Sequence, residues 1–191
     1  MRLFVALDLP EAVRQGFREL IARLKNDCPA ARWVHPEGMH ITLKFIGFTD
    51  DKNFDPICAA LAPVRSERPV DMNFRGLGFF PNERRPRVAW CGVEASENLA
   101  KLARDVGETL EPLGIQQETR EFVPHLTLSR LNPAQIPARE MEKLFRACKE
   151  TEGKSLGTAH ATEFYLFESI LKKSGAEYRK LRAFPFVKGS A

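Results

Sequence analysis

The sequence has no long run of apolar residues. None of its apolar stretches approaches the roughly 18 residues that a membrane-spanning helix needs. The opening segment, residues 1–8, reaches Asp8 too soon to serve as the apolar core of a signal peptide. We therefore expect a cytoplasmic protein that has no membrane partner.

Cysteines are few and scattered. Cys28, Cys58, Cys91 and Cys148 stand singly, without the C-x-x-C spacing typical of zinc or redox sites. This pattern favours reduced thiols that act as small core side chains in a cytosolic protein. Four cysteines and four histidines would suffice in number for a zinc site, but their spacing argues against one. We expect neither a metal ion nor a cofactor.

Several widespread catalytic motifs are also absent. The sequence contains no G-x-x-x-x-G-K-[ST] phosphate loop, no G-x-G-x-x-G after a strand, no H-E-x-x-H and no G-x-S-x-G. The charge gives a weaker indication, because 29 basic against 25 acidic residues leave a net charge of only +4. That excess is compatible with a polyanionic partner but does not require one. With 43% hydrophobic residues, the 191-residue chain can build a substantial core.

The sequence does contain a repeated tetrapeptide. His40-Ile41-Thr42-Leu43 recurs 85 residues later as His125-Leu126-Thr127-Leu128, each copy in a short apolar run. Alternate side chains of a strand share a face, so each copy presents an imidazole beside a hydroxyl. Histidine has an ordinary pKa of roughly 6.5, which allows one copy to be neutral and the other protonated near pH 7. Two facing copies would form an acid/base couple around one small anion.

The elements around the tetrapeptides repeat in the same order. In each half, the pattern predicts a strand, an amphipathic helix, the histidine strand, a short helix and another strand, in that order. In the first half these elements cover residues 3–7, 13–24, 40–43, 54–61 and 70–77. In the second half they cover residues 88–93, 99–110, 125–128, 141–148 and 162–171. A final strand over 178–186 follows a predicted turn at 172–175.

This order predicts an α+β fold with an internal duplication. We expect two β-α-β-α-β lobes with antiparallel sheets around a central cleft, and an approximate two-fold axis that brings His40 and His125 together. Residues 1–191 would form one domain with lobes at approximately 1–85 and 86–191, although the order leaves open an exchange of elements between the lobes.

Other polar residues near the tetrapeptides are weaker candidates. Lys44 follows the first copy and Arg130 ends the second, where either would bind phosphate or simply lie in solvent. Strict alternation predicts that Lys44 lies on the histidine face and Arg130 on the opposite face. His35 and His160 lie outside the repeated motif, and we interpret both as surface or turn residues.

A basic loop over Arg84–Arg87 has two interpretations that the residues leave open. It would follow a nucleic-acid backbone or form a solvated turn. The preceding Phe79-Phe80-Pro81 would stack a base or anchor the loop in the core.

With these residues identified, the chain resembles the two-histidine (2H) phosphoesterase superfamily. Within it, the chain is most similar to the RNA 2′,3′-cyclic phosphodiesterases, long labelled 2′-5′ RNA ligases. The resemblance covers nearly the whole length and is carried by residues 2–10, 33–47, 87–90 and 124–130, and by Ser169-Ile170-Leu171, Gly175, Tyr178, Leu181 and Phe184. A single H-x-T-L is a weak signal, but two within this ordered framework are a strong one.

The resemblance implies a metal-independent enzyme that hydrolyses RNA 2′,3′-cyclic phosphate ends to 2′-phosphomonoesters. Carried onto this sequence, His40 is the proton donor and His125 the proton acceptor. Thr42, Thr127 and Arg130 bind the substrate phosphate. No obligate protein partner is implied, and we expect a monomer.

Three other functions remain compatible with the same residues. They are reversible 2′-5′ RNA ligation, a non-catalytic RNA-binding module, and a phosphodiesterase acting on cyclic nucleotides or other small molecules.

Overall fold

The computed structural model describes residues 1–172 and 175–186, which form four α-helices and nine strands. The helices are α1 (Glu11–Asp27), α2 (Phe54–Leu61), α3 (Asn98–Leu110) and α4 (Ala138–Thr151). The strands are β1 (Arg2–Asp8), β2 (Arg32–Trp33), β3 (His40–Phe48), β4 (Val70–Phe80), β5 (Val88–Ala95), β6 (His125–Arg130), β7 (Ser155–Ala161), β8 (Glu163–Lys172) and β9 (Gly175–Pro185). Lys173 and Ser174 of the predicted turn lie outside the described residues.

All nine strands belong to one antiparallel sheet that curls into a half-barrel. Its order is β7-β4-β5-β6-β3-β1-β8-β9, and the short β2 pairs with β6 beyond the point where β3 leaves it. The β6–β3 contact divides the sheet into two groups of four strands. We call them the β5 lobe (β7, β4, β5 and β6) and the β1 lobe (β3, β1, β8 and β9). The predicted α+β fold with two lobes is confirmed.

Strands from the two halves of the sequence are exchanged between the lobes. β4, which comes from the first half, pairs with β5, whereas β8 and β9 from the second half extend the sheet beyond β1. The helices are exchanged too, because α1 packs against β7 and α3 packs against β3. A division of the chain at about residue 85 therefore does not coincide with a division of the sheet.

The main hydrophobic core lies between one face of the sheet and the helices. In β1, Leu3, Val5 and Leu7 enter this core, whereas Phe4 and Ala6 belong to a separate small cluster on the other face. We call that other face the open face. Both faces of β1 are covered by apolar groups, which explains why its sequence is an unbroken apolar run.

The predicted helical stripes face the main core. Val13, Phe17, Ile21 and Leu24 of α1 are buried, and α3 buries Leu99, Leu102, Val106 and Leu110. All four cysteines are free and buried, as expected, and burial raises the pKa of Cys91 and Cys148 to about 12. Within the described ranges, no helix is both long and apolar enough to cross a membrane.

Two strands were not predicted. β7 has the sequence SLGTAHA, whose few apolar side chains give no clear alternation, and it lies at the edge of the sheet. His160 therefore lies in a strand and not in a turn. The second, β2, has only two residues and forms because β6 continues beyond its contact with β3.

The junction of α1 with the sheet provides a test of the core. Phe74 of β4 is 0% exposed and its ring meets that of Phe17 edge to face, 5.4 Å between centroids. Truncation leaves a cavity that the surrounding backbone fills only in part, so we expect Phe74→Ala to lower the free energy of unfolding by about 3–5 kcal/mol. Urea denaturation measures this loss.

Phe48 supplies the matched control, because its side chain is 82% exposed on β3. Phe48→Ala should change the free energy of unfolding by no more than about 0.5 kcal/mol. Equal losses in the two variants would show that Phe74 does not lie in the core described.

Candidate active site

The two tetrapeptides meet where the lobes join. β3 and β6 are antiparallel neighbours, and Ile41 of the first motif is paired with Leu126 of the second. Each of these residues lies between the histidine and the threonine of its own motif. The antiparallel pairing therefore brings two histidines and two threonines together around a single point of strand contact. The expected approach of His40 and His125 is present in the structure.

A β-bulge follows the threonine of each motif. In β3, Ala6 is opposite Thr42 and Val5 is opposite Lys44, which leaves Leu43 as the extra residue. In β6, Trp90 is opposite Thr127 and Ala89 is opposite Ser129, which leaves Leu128 as the extra residue. A bulge reverses the face on which all later residues lie.

The first bulge makes the prediction for Lys44 wrong. Lys44 lies opposite Val5, whose side chain is in the main core, so it does not share the face of His40 and Thr42. Its side chain is 7% exposed, and its Nζ donates to the carbonyl of Gln116. The aromatic Phe45 takes the next position on the open face, 66% exposed, with its ring centroid 6.2 Å from that of Phe4.

The second bulge corrects the alternation argument for Arg130. Arg130 is paired with Val88, two residues before Trp90, and Trp90 is opposite Thr127. Because Val88 and Trp90 alternate with the buried Ala89, Arg130 lies on the face of Thr127. Arg130 and Phe45 thus occupy equivalent positions after the two motifs, one cationic and one aromatic.

Both imidazoles are oriented by the same kind of hydrogen bond. The Nδ1 of His40 lies 2.7 Å from the carbonyl oxygen of Gly38, and the Nδ1 of His125 lies 2.8 Å from that of Val123. A carbonyl only accepts, so each Nδ1 carries the proton and donates. Each Nε2 is left to exchange protons with a bound molecule, which is the arrangement that an acid/base pair requires.

Aromatic side chains surround His40. Its ring centroid lies 4.6 Å from Phe4, 6.0 Å from Phe167 and 4.9 Å from Tyr178. The pKa of His40 is lowered to about 4, chiefly by burial among these rings and to a smaller extent by the neighbouring His125, despite the opposing effects of the Gly38 carbonyl and Asp8. His40 is therefore neutral at pH 7 in the free protein.

His125 has an aromatic neighbour from β4, a strand of its own lobe. Phe80 meets the imidazole edge to face at 4.8 Å and also contacts Trp90 at 5.0 Å. The indole of Trp90 lies directly over Gly78, where a Cβ atom would come within 2.5 Å of the ring. Only glycine at position 78 leaves room for this packing.

A buried ionic network supports the segment that leads into His40. Arg14 of α1 donates to the carbonyls of Pro36 and Glu37 at 2.7 and 3.0 Å and to Asp8 Oδ1 at 2.8 Å. Burial raises the pKa of Asp8, but Lys180 and Arg14 together outweigh this effect and hold it below its ordinary value. Asp8 is also the strand partner of His40. The network thus fixes the turn whose Gly38 carbonyl orients the imidazole.

The remaining candidates lie apart from the two motifs or at their edge. His35 is exposed, and His160 lies on the edge strand with its Nδ1 2.6 Å from Asp71 Oδ1, in agreement with the surface interpretation of both. Phe79 anchors the basic loop, because it is buried against Phe145, whereas Phe80 contacts His125. The Arg84–Arg87 loop is an exposed turn between β4 and β5, and Arg87 immediately precedes the strand partner of Arg130.

Sequence reasoning missed the groups that hold the imidazoles in place. The Gly38 and Val123 carbonyls and Arg14 belong to no motif that would have singled them out, and Tyr178 was named only as part of the family resemblance and not as a neighbour of His40. A signal for Phe4 did exist, because an unbroken apolar run from Leu3 to Leu7 predicts that both faces of the strand are covered.

Comparison with known proteins agrees with this geometry. The family sequence model described as "LigT like Phosphoesterase" matches two consecutive segments, residues 7–90 and 92–178. A relative from Archaeoglobus fulgidus, named RNA 2′,3′-cyclic phosphodiesterase, is 33% identical over 96% of this chain and 99% of its own length. A relative of the same name from Thermotoga maritima is 36% identical over 69% of this chain and 70% of its own length.

Solved structures extend the similarity to the fold. A crystal structure of a Thermus thermophilus protein matches with a TM-score of 0.76 and 29% identity, covering 97% of this chain and 98% of that one. E. coli LigT in complex with 3′-AMP matches with a TM-score of 0.75 and 24% identity, with 98% of both chains covered. The chain belongs to the LigT-like phosphoesterase family.

Proposed function

We propose that this protein hydrolyses the 2′,3′-cyclic phosphate end of RNA to a 2′-phosphomonoester by paired histidine acid/base catalysis. The observation that carries the proposal is the pair of equivalent imidazoles at the junction of β3 and β6, each with Nδ1 bonded to a carbonyl and with Nε2 unbonded among the residues that the structure describes. The activity named for relatives at 30–36% identity supports the same reaction.

In the proposed mechanism, the two histidines act on opposite sides of the phosphorus. His125 Nε2 takes a proton from water as the water oxygen forms a bond to phosphorus. His40 Nε2–H gives a proton to the ribose 3′ oxygen as its bond to phosphorus breaks. The leaving group is an alkoxide, so protonation of this oxygen lowers the barrier, and general acid and base effects of about 10²–10⁴ each are typical.

The side chains next to the histidines would bind the phosphate. Thr42 and Thr127 lie on the same face as the imidazoles, where their hydroxyls can donate to the non-bridging oxygens. Arg130 supplies a positive charge from the same face. The threonine hydroxyls and the arginine charge together stabilise the negative charge that develops on the phosphoryl oxygens in the transition state.

The role of His40 as donor depends on the substrate. Burial keeps its imidazole neutral in the free protein, which by itself is the state of a base. The cyclic phosphate carries a negative charge, and an anion held against the imidazole favours the protonated form. We therefore propose that binding of the substrate charges His40 and prepares it to donate.

The geometry of the site bears on two alternative functions, 2′-5′ ligation and RNA binding without catalysis. Ligation through a 2′-5′ linkage is the reverse type of reaction, with a ribose hydroxyl in place of water, and it uses the same two proton transfers. A non-catalytic RNA-binding module would need only the threonines and the arginine. It would not need two imidazoles that are each fixed with a free Nε2, which favours catalysis.

We further propose that residues 1–191 act as one two-lobed domain that arose by duplication, and that it functions as a monomer in the cytoplasm. Both motifs come from a single chain, so no second copy is needed to complete the site. The four buried free cysteines fit a reducing compartment.

The proposal predicts that both histidines are needed for the chemical step. His40→Ala and His125→Ala should each lower the rate of cyclic-phosphate hydrolysis by at least about 100-fold, because each removes one proton transfer. Single-turnover assays on an RNA with a 2′,3′-cyclic phosphate end measure the effect. Near-normal turnover in either variant would contradict the two-histidine mechanism.

His35→Ala and His160→Ala are the controls for this experiment, because neither side chain touches the site. Both should retain the wild-type rate, and circular dichroism of all four variants checks that the fold is intact.

The protonation of His40 should change when a phosphate ligand binds. NMR titration of the histidine ring protons should give a pKa of about 4 for His40 in the free protein. A bound nucleoside 2′-phosphate should raise this pKa, because its negative charge stabilises the imidazolium. No rise in the complex would contradict the assignment and make His40 the base and His125 the acid.

The position of the phosphate in the product shows which phosphorus–oxygen bond of the cyclic ester breaks. In-line attack requires water opposite the leaving oxygen, so the orientation of the ribose between the motifs decides the product. With the 3′ oxygen beside His40, the product carries a 2′-phosphate, which phosphorus NMR distinguishes from a 3′-phosphate by comparison with standards. A 3′-phosphate as the main product would reverse the proposed orientation and leave the paired-histidine chemistry in place.

A further inference from the structure

A second arginine faces the site from β2. Arg32 is paired with Arg130 across the β2–β6 ladder, and the next pair along the ladder joins Trp33 to Ser129. Residues that are directly opposite on antiparallel strands share a face, with Cβ atoms about 4.5–5.5 Å apart. Because Arg130 lies on the face of Thr127, Arg32 lies there too, whereas Trp33 packs against the main core.

This pairing is unfavourable for the fold. Like charges that are directly opposite on neighbouring strands destabilise a sheet. Among residues 1–172 and 175–186, no carboxylate lies within ion-pair distance of either guanidinium, although Arg14, Arg18 and Arg179 are all ion-paired. Both side chains are exposed. Phosphate groups bound to the two guanidinium groups would offset the repulsion between them.

The strand β2, which carries Arg32, is held in place although it has only two residues. The Trp33 indole N–H donates to the carbonyl of Cys28 at 2.9 Å, and the amide of Val34 donates to the carbonyl of Leu128 at 2.9 Å. Cys28 is itself fully buried. The backbone of Arg32 is therefore fixed relative to the second motif, and only its side chain is free to follow a ligand.

We propose that Arg32 binds the phosphodiester one nucleotide upstream of the cyclic end, while Arg130 binds the cyclic phosphate itself. The inference rests on the proposed function and deepens it by assigning a second phosphate-binding residue, whose contact makes the site prefer an RNA chain to a mononucleotide. A guanidinium suits this contact, since its planar donors bind phosphate oxygens in pairs. The contact is made to the backbone and carries no base preference.

The experiment compares two ligands that differ by one phosphodiester. Calorimetry measures the Kd of a mononucleotide 2′-phosphate and of a dinucleotide ending in a 2′-phosphate, for the wild-type protein and for Arg32→Gln. Turnover of the corresponding 2′,3′-cyclic phosphates is measured in parallel. Arg146→Gln is the matched control, because it removes the same charge from an exposed position on α4.

We expect the wild-type protein to bind the dinucleotide more tightly, and Arg32→Gln to weaken that binding by about 10-fold or more, as for loss of a charged hydrogen bond. For the mononucleotide, which lacks the upstream phosphate, Arg32→Gln should weaken binding by less than about 2-fold. For the dinucleotide, the slope of log Kd against log salt concentration should be smaller in Arg32→Gln than in the wild type by about 0.7, the value for one phosphate contact on a single strand. Arg32→Lys should restore part of the affinity, and Arg146→Gln should match the wild type.

An equal effect of Arg32→Gln on both ligands, or none on either, would overturn the inference while leaving the proposed function intact. Binding of both ligands as expected without turnover of either cyclic phosphate would instead overturn the proposed function. The two failures are therefore distinguishable.

Discussion

The site depends on one antiparallel contact, the pairing of Ile41 with Leu126. This contact joins the two lobes into a single sheet, and it lies between the histidine and the threonine of both motifs. The surrounding strands are long and extensively paired, but β3 and β6 meet only briefly before β2 takes the place of β3 beside β6. The junction therefore fixes the distance between the two imidazoles and leaves the open face accessible beside them. Exchange of strands between the lobes makes neither lobe a continuous half of the chain.

The leucine of each H-x-T-L has a structural role that its sequence does not suggest. Leu43 and Leu128 are the extra residues of two equivalent bulges, and both are buried. The bulges place Phe45 and Arg130 on the open face at matching positions, so the two sides of a nearly symmetrical site differ in chemistry. One side is aromatic and surrounds a neutral imidazole. The other is cationic, and the phosphate chain of RNA would approach from there. Such a difference would give two equivalent histidines the unequal roles that we propose for them.

The sequence predicted the elements that strong periodicity marks, including all four helices and most strands, as well as the meeting of His40 and His125. It could not predict the faces of Lys44 and Arg130, because alternation assumes a regular strand and a single bulge reverses it. The edge strand β7 was not predicted because its short, mostly small side chains give no hydrophobic alternation. The strand β2 was not predicted because two residues are too few to show any alternation. The carbonyls that orient the imidazoles belong to the backbone, and their positions depend on turns that residue types alone do not specify.

In the proposed reaction, water is the nucleophile at the phosphorus of a 2′,3′-cyclic phosphate on RNA. Incubation of such an RNA with the protein in ¹⁸O-labelled water, followed by mass spectrometry of the product, tests it most directly. Hydrolysis by water predicts one ¹⁸O atom in each terminal phosphomonoester and a 3′-hydroxyl on the same ribose. Recovery of the cyclic end unchanged would contradict catalysis, and a 2′-5′-linked product without the label would identify the protein as a ligase instead.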